Sequence, residues 1–135
     1  MAKKRNPKNA ITAPPVTSSA PVSFQNMGLE WKPGRDGSAE LLIAYEGPLA
    51  ARDEVIARAG TRRHGGEPWA EIREAPLRKQ GARWVGCIPV ASGGPVEAVE
   101  FVFRAHDEWD NGGQAPLGYY EWNPQQRRVD VRQGR

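Results

Sequence analysis

The sequence predicts an all-β fold, an immunoglobulin-like antiparallel β-sandwich, and three observations support this prediction. The chain has 15 Gly and 12 Pro among 135 residues, which favours turns and short strands over long helices. Short apolar segments recur along it, with Gly or Pro between them. In residues 97–105, Val99, Phe101 and Phe103 share one face while Glu100 and Arg104 lie on the other, which is the period of a half-buried strand.

Seven segments are predicted as strands because each is rich in apolar or β-branched residues and ends near a turn residue. They are residues 39–46, 54–59, 70–76, 83–90, 97–105, 117–122 and 127–131. Charged neighbours on both sides of Ile72 suit an edge strand, and Pro89 ends its strand or leaves it at an edge. Gly60 closes the second segment, and residues 53–59 have the alternative of a single helical turn.

The domain organisation predicted is a disordered basic arm over residues 1–21 and one β-sandwich over residues 22–132. The arm is rich in Pro, Ser, Thr and Lys and has no apolar stretch typical of a secretory signal. One cysteine, Cys87, cannot form an internal disulfide, which suits the reducing cytoplasm. No apolar run is long enough for a membrane span, so no membrane partner is expected.

The net charge of +3 resides in the two ends of the chain. Residues 1–23 hold four basic residues and no acid, and residues 125–135 hold four Arg against Asp130. Residues 24–124 therefore contain 11 basic and 15 acidic residues, which excludes a basic globular face. Non-specific contact of the arm with phosphates is the remaining nucleic-acid hypothesis, but no aromatic residue stands among its lysines, so no nucleic-acid partner is predicted.

Catalytic and metal-binding readings are weak in this sequence. Cys87, His106 and Asp110 are the residue types of a nucleophilic triad, yet Cys87 lies in an apolar strand, where a buried thiol is the commoner outcome. His64 and His106 are far apart and belong to no Cys/His cluster. The acids of residues 107–110 are more typical of a solvated loop than of a glycosidase pair. We therefore predict no enzyme activity, no metal and no cofactor.

The five tryptophans are the better lead to function. Trp84 begins an apolar strand and is predicted in the core, and Trp31 is expected to cap one end of it. Trp69 and Trp109 lie on polar loops, where a large aromatic ring is costly to solvate unless it meets a partner. Sugars suit such a loop, because their C–H faces stack on flat rings while Asp110 and neighbouring amides bond their hydroxyls. A ring folded back over the sandwich is the alternative.

A series of motifs then shows a resemblance to a known family. Residues 99–103 end in an "FVF" strand that leads to Trp-Asp-Asn-Gly-Gly at residues 109–113 and then to Tyr119 or Tyr120. Earlier in the chain there are a Tyr-Glu-Gly-Pro-Leu turn at residues 45–49 and a second strand that ends before Gly60. These are followed by Trp69, by Pro-Leu-Arg at residues 76–78, and by Trp84 with Ile-Pro-Val at residues 88–90. In this order, over residues 39–122, they resemble family 25 carbohydrate-binding modules and the starch-binding repeats of plant starch synthase.

The resemblance implies a non-catalytic immunoglobulin-like module that binds α-1,4-linked glucans such as starch, glycogen and maltooligosaccharides. By that resemblance, the binding aromatics are Trp69 and Trp109, and Asp110 and Asn111 form the hydrogen-bonding loop. Arg58 stands where the family often has a sugar-facing histidine, and Gly112 replaces the second Asn of its "WDNN" loop. The link from Gly60 to Trp69 is long and basic.

Two functions from different classes therefore follow from the sequence. The first is glucan binding, in which any glucan-active enzyme that the module serves is a separate partner or another copy of the chain. The alternative is a protein-interaction or regulatory module on the same sandwich, with Trp69 and Trp109 as interface anchors.

Overall fold

The computed structural model describes residues 21–112 and 118–133, and within these ranges it contains β-strands and no helix. In chain order the strands are β1 (Val22–Phe24), β2 (Met27–Pro33), β3 (Ala39–Tyr45), β4 (Ile56–Arg63), β5 (Ala70–Pro76), β6 (Arg78–Gln80), β7 (Arg83–Val90), β8 (Val96–Ala105), β9 (Glu108–Asp110), β10 (Tyr119–Asn123) and β11 (Arg128–Arg132). The predicted arm lies almost entirely outside the described residues.

The strands form two antiparallel sheets, which confirms the predicted all-β sandwich. Sheet 1 has the order β11-β10-β8-β4-β5, with β9 added beside the end of β8. Sheet 2 has the order β1-β2-β3-β7-β6. Within the described residues there is no helix that is long and apolar enough to cross a membrane.

The core lies between the two sheets and is built from the alternate residues of each strand. Sheet 1 contributes Phe101, Phe103 and Trp122, and sheet 2 contributes Leu41 and Tyr45, all of them buried. The ring of Tyr45 lies 4.2 Å from that of Phe103, so the sheets are in direct contact there. Each buried side chain of this size contributes about 1.5–3 kcal/mol. Trp84 is buried, as predicted, and Trp31, which was expected to cap one end of the core, is buried as well.

The structure corrects two predictions about β4. The strand runs through Gly60 to Arg63, so Gly60 does not end it, and the alternative helical turn over residues 53–59 is wrong. Gly60 stays in the ladder opposite Glu100, and the chain after the next turn folds back over it. Extended backbone is favoured because β4 is the central partner of both β5 and β8, and tertiary pairing overrides helix propensity.

Other strand predictions are confirmed, and short strands were missed. β5 lies at the edge of sheet 1, as predicted from Ile72. Pro89 lies on the part of β7 that β6 does not reach, so its missing N–H faces an open edge. The strands β1, β6 and β9 were not predicted individually, because three-residue strands carry too little pattern. The seven-residue strand β2 was also missed.

Candidate functional site

The outer face of sheet 1, which points away from sheet 2, carries the candidate site. In β8, Phe101 and Phe103 point into the core, so Val102 and Arg104 point outward. Pairing places Arg58 of β4 beside Val102. β8 has β4 along one edge, and β9 and β10 lie end to end along its other edge. Residues 100, 102 and 104 of β8 point outward. Each of them, with the residues paired to it on the neighbouring strands, forms one row across this face, and we number the rows first, second (middle) and last in that order.

Trp109 lies on the last of these rows. It pairs with Arg104 in the β8–β9 hairpin, and paired residues of antiparallel strands project from the same face. Its side chain is 53% exposed, and the only other large hydrophobic side chain exposed among the described residues is Ile72. The ring therefore does not fold back over the core.

Trp69 lies on the first row, above Gly60. A Cβ on Gly60 would come within 2.6 Å of the Trp69 Cα, so the two backbones touch because Gly60 has no side chain. The N–H of Trp69 donates to Oε1 of Glu100 at 2.7 Å, and its φ of 55° lies in the left-handed region. Its ring is half-buried and packs edge-on against Tyr119, with centroids 5.6 Å apart.

Tyr119 lies on the middle row of the outer face, whereas Tyr120 does not. Tyr120 pairs with Phe101 and is buried in the core, so Tyr119, the next residue of β10, points outward beside Val102. Trp69, Tyr119 and Trp109 thus occupy three successive rows. At about 3.3 Å per residue, the line they form spans about 13 Å.

Charged side chains surround this aromatic line and are mostly paired. Arg104 binds Glu74 through two bonds of 2.8 and 2.9 Å, and those bonds hold the pKa of Glu74 below its usual range. Arg58 also reaches Glu74, but only at 3.4 Å, and its side chain is partly exposed. Arg58 is therefore a guanidinium on this face with donors to spare.

A cluster of buried charges supports Trp69 from below. Glu100 is fully buried in the middle of β8, and Arg62 binds it at 2.6 Å and Glu121 at 2.7 Å. Burial raises the pKa of Glu100, although its bonds from Trp69 and Arg62 oppose the rise. Burial would raise the pKa of Glu121 as well, but the bonds from Arg132 and Arg62 outweigh it and lower that pKa. Sequence alternation placed Glu100 on the outer face correctly but could not show that the face is covered there.

Asp110 was expected to bond sugar hydroxyls, and the structure places its carboxylate on the inner side instead. It is 7% exposed and accepts hydrogen bonds from the hydroxyls of Tyr45 at 2.7 Å and Tyr120 at 2.8 Å. A third bond comes from the N–H of Gly112 at 3.0 Å. Burial and these bonds raise the pKa of both tyrosines. Asp110 therefore fixes the loop that carries Trp109.

Asn111, the other expected loop residue, is half-buried directly after β9. The structure thus brings together Trp69, Trp109 and Arg58 on one face, keeps Asn111 at its border and removes Asp110 from it. Val102 is a residue of this face that sequence reasoning did not single out, and Tyr119 was named only as an alternative to Tyr120. The period-two pattern of β8 and β10 was the signal that both residues point outward.

The residues considered for catalysis do not come together. Cys87 lies in sheet 2, whereas His106 lies in the turn between β8 and β9 and binds Asp53 at 2.8 Å. In the part of the chain that the structure describes, no group of three or more His, Cys, Asp or Glu side chains is arranged to hold a metal ion.

Comparison of this chain with protein-family models, with curated proteins and with solved structures finds no match.

Proposed function

We propose that this chain is a non-catalytic module that binds α-1,4-linked glucans, such as starch, glycogen and maltooligosaccharides, on the outer face of sheet 1. The observation that carries the proposal is the line of Trp69, Tyr119 and Trp109 on one face, with Trp109 more than half exposed. An exposed indole on a polar surface is costly to keep in water and favours a ligand that covers it.

The geometry suits a glucan chain better than a single small molecule. A row of rings about 13 Å long offers stacking to more than one sugar unit along a chain. If each tryptophan covers on the order of 100 Å² of apolar surface, stacking contributes about 2–3 kcal/mol per ring. Two such rings together with hydrogen bonds to the sugar hydroxyls, less the cost of ordering the ligand, give an affinity of about micromolar to millimolar.

Polar selectivity comes from the groups between and beside the rings. Arg58 takes the position of the family's sugar-facing histidine, and its weak 3.4 Å bond to Glu74 leaves guanidinium N–H groups for sugar hydroxyls. Asn111 stands at the end of the line beside Trp109. The contact set we propose is Trp69, Tyr119, Trp109, Arg58 and Asn111, with Asp110 acting through the loop it holds.

The proposal includes no chemistry on the glucan. Glycoside cleavage needs one carboxyl group that donates a proton and a second that attacks or activates water. On this face Glu74 is bound by Arg104, and Glu100 is buried under Trp69. A glucan-active enzyme is thus the proposed partner, and the unpaired thiol of Cys87 suits a reducing compartment such as the cytoplasm.

Affinity electrophoresis in gels with and without amylopectin tests this proposal. The wild-type chain is expected to be retarded relative to a non-binding control protein, and Trp109→Ala is expected to lose that retardation. Ile72→Ala is the matched control, since it removes the other exposed large apolar side chain, two strands away from β8. Unretarded wild-type protein, or equal losses in the two variants, would contradict the proposal.

A further inference from the structure

The outer face of sheet 2 carries an apolar strip on the side opposite the proposed glucan site. Inward residues of β3 and β7 fill the core, so Leu42, Ala44 and Cys87 point outward. The register aligns Gly28 with Ala44 and Leu42 with Cys87, and Pro89 follows on β7. The strip therefore runs diagonally across the sheet, and its members stay partly or fully exposed. The Cys87 thiol donates to Oε2 of Glu40 at 3.8 Å, so this acidic side chain borders the strip directly.

Charges of opposite sign flank the two sides of this strip. Glu30 and Glu40 lie on the β2 and β3 side, and Arg78 and Arg83 lie on the β6 and β7 side. Among the described residues, none of these four forms a salt bridge.

Neighbouring charges reduce, but do not cancel, the opposite charges of the two sides of the strip. Lys32 is paired with Glu40 in the β2–β3 register, and Glu46 shares a surface depression with Arg83. Each flank therefore keeps a net charge of its own sign. Sheet 1 differs, because Arg62, Arg104 and Arg132 on its outer face all bind carboxylates of the same chain.

We propose that this face binds a second copy of the chain, forming a two-fold symmetric dimer through sheet 2. Rotation by half a turn about an axis along the apolar strip places the acidic flank of each copy against the basic flank of the other. The four charges that form no salt bridge among the described residues then find partners in both directions. Cys87 lies on the strip and therefore close to the axis, where it meets Cys87 of the second copy.

The size of the face sets the strength of the dimer. Five strands spaced at about 4.8 Å and about six residues of strand length give a patch of roughly 20 Å by 20 Å. Such a patch of about 400 Å² per copy is about half of a standard interface, so the dimer is weak and forms at high protein concentration. Its two sheet-1 faces point away from each other and remain open.

Charge reversal tests the dimer without disturbing the core. One variant combines Glu30→Arg with Glu40→Arg, and the other combines Arg78→Glu with Arg83→Glu. In a dimer of either variant with itself, like charges face each other across the interface. Each variant is therefore expected to raise the dimer dissociation constant at least tenfold. An equimolar mixture pairs opposite flanks again and is expected to restore dimers. The matched controls are Glu67→Arg and Arg35→Glu, whose exposed loop positions lie off this face.

Sedimentation velocity from about 10 µM to about 1 mM protein measures the outcome. Concentration-dependent dimers that both variants lose and the mixture regains support the proposal. Oxidation of the wild type at high concentration should also give a disulfide-linked dimer, which Cys87→Ser abolishes. The proposal would be overturned by a monomer at every concentration or by a dimer that both charge-reversal variants retain. It would also be overturned by a dimer that appears only after removal of residues 1–20, because the chain would then cover its own face.

Discussion

The backbone N–H of Trp69 donates a 2.7 Å hydrogen bond to Oε1 of Glu100, a fully buried carboxylate in the middle of β8. Oε2 of the same carboxylate accepts a bond from Arg62 at 2.6 Å. Glu100 thus joins the chain segment that carries a proposed sugar-stacking ring to the central strand of sheet 1. Because Trp69 holds a left-handed φ, this bond offsets the conformational cost of that backbone.

Loss of the Glu100 carboxylate should therefore weaken both folding and glucan binding. Glu100→Leu leaves the Trp69 N–H without its acceptor, and we expect the free energy of unfolding to fall by about 1–3 kcal/mol. Glucan affinity should fall about 5- to 30-fold as Trp69 moves. Urea denaturation and retardation in amylopectin gels measure the two effects.

Two further variants separate position from charge at this cluster. Glu100→Gln keeps an oxygen for the Trp69 N–H and should recover most of the glucan affinity. Glu97→Gln changes the more exposed carboxylate that binds the Arg62 guanidinium. It should lower the free energy of unfolding by less than about 1 kcal/mol. If Glu100→Leu bound glucan as tightly as the wild type, Glu100 would have no positioning role.

Gly60 should not tolerate a side chain. An alanine Cβ there would lie 2.6 Å from the Trp69 Cα, so the β4–β5 connection must shift. We expect Gly60→Ala to cost about 1–3 kcal/mol of stability and to weaken glucan binding. Gly28→Ala is the matched change in another strand, where the nearest atom lies 3.9 Å away, and it should be neutral or slightly stabilising. Equal thermal stability of the two variants would contradict this contact.

Asp110 should behave as a structural residue. Its carboxylate receives donors from Tyr45, Tyr120 and Gly112, and an amide at this position brings an N–H₂ group against at least one of them. Asp110→Asn should therefore lower the free energy of unfolding by about 1–3 kcal/mol. Tyr120→Phe, which removes one donor and leaves the carboxylate in place, should cost less in the same urea titration. The reverse order would mean that the hydrogen bonds to Asp110 do not hold the loop.

His106 should make part of the stability dependent on pH. Its bond to Asp53 and the nearby charge of Glu54 raise the pKa of His106, while the same bond lowers the pKa of Asp53. A raised pKa in the folded state means that the contribution is fully present below the unfolded value of about 6.5 and is lost as the pH rises through the folded pKa. His106→Gln should therefore lower the Tm at pH 6 more than at pH 8.5.

The matched control for that measurement is His64→Gln, which changes the other histidine of the chain in an exposed turn. It should leave the difference in Tm between the two pH values unchanged. Equal effects of the two substitutions would show that the ion pairs of His106 add nothing to stability.

Period-two patterns predicted much of the fold and part of the site. The alternation around Val99, Phe101 and Phe103 fixed the faces of β8, and those faces place Trp109 outward through its pairing with Arg104. The pattern could not show that Trp69 folds over Gly60 and buries Glu100, because that contact joins residues far apart in sequence. It also could not show that Asp110 points inward, since the hydroxyl of Tyr45 comes from the other sheet.

Titration of intrinsic tryptophan fluorescence with maltoheptaose, cellohexaose and single-stranded DNA distinguishes α-glucan binding from binding of other polymers. Trp31, Trp84 and Trp122 are buried, so a change in emission on binding reports mainly on Trp69 and Trp109. We predict a saturable shift to shorter wavelength with maltoheptaose, because a stacked sugar removes water from the exposed ring of Trp109, and a much weaker response to the other two ligands. No response to maltoheptaose, or an equal response to all three ligands, would contradict α-glucan binding.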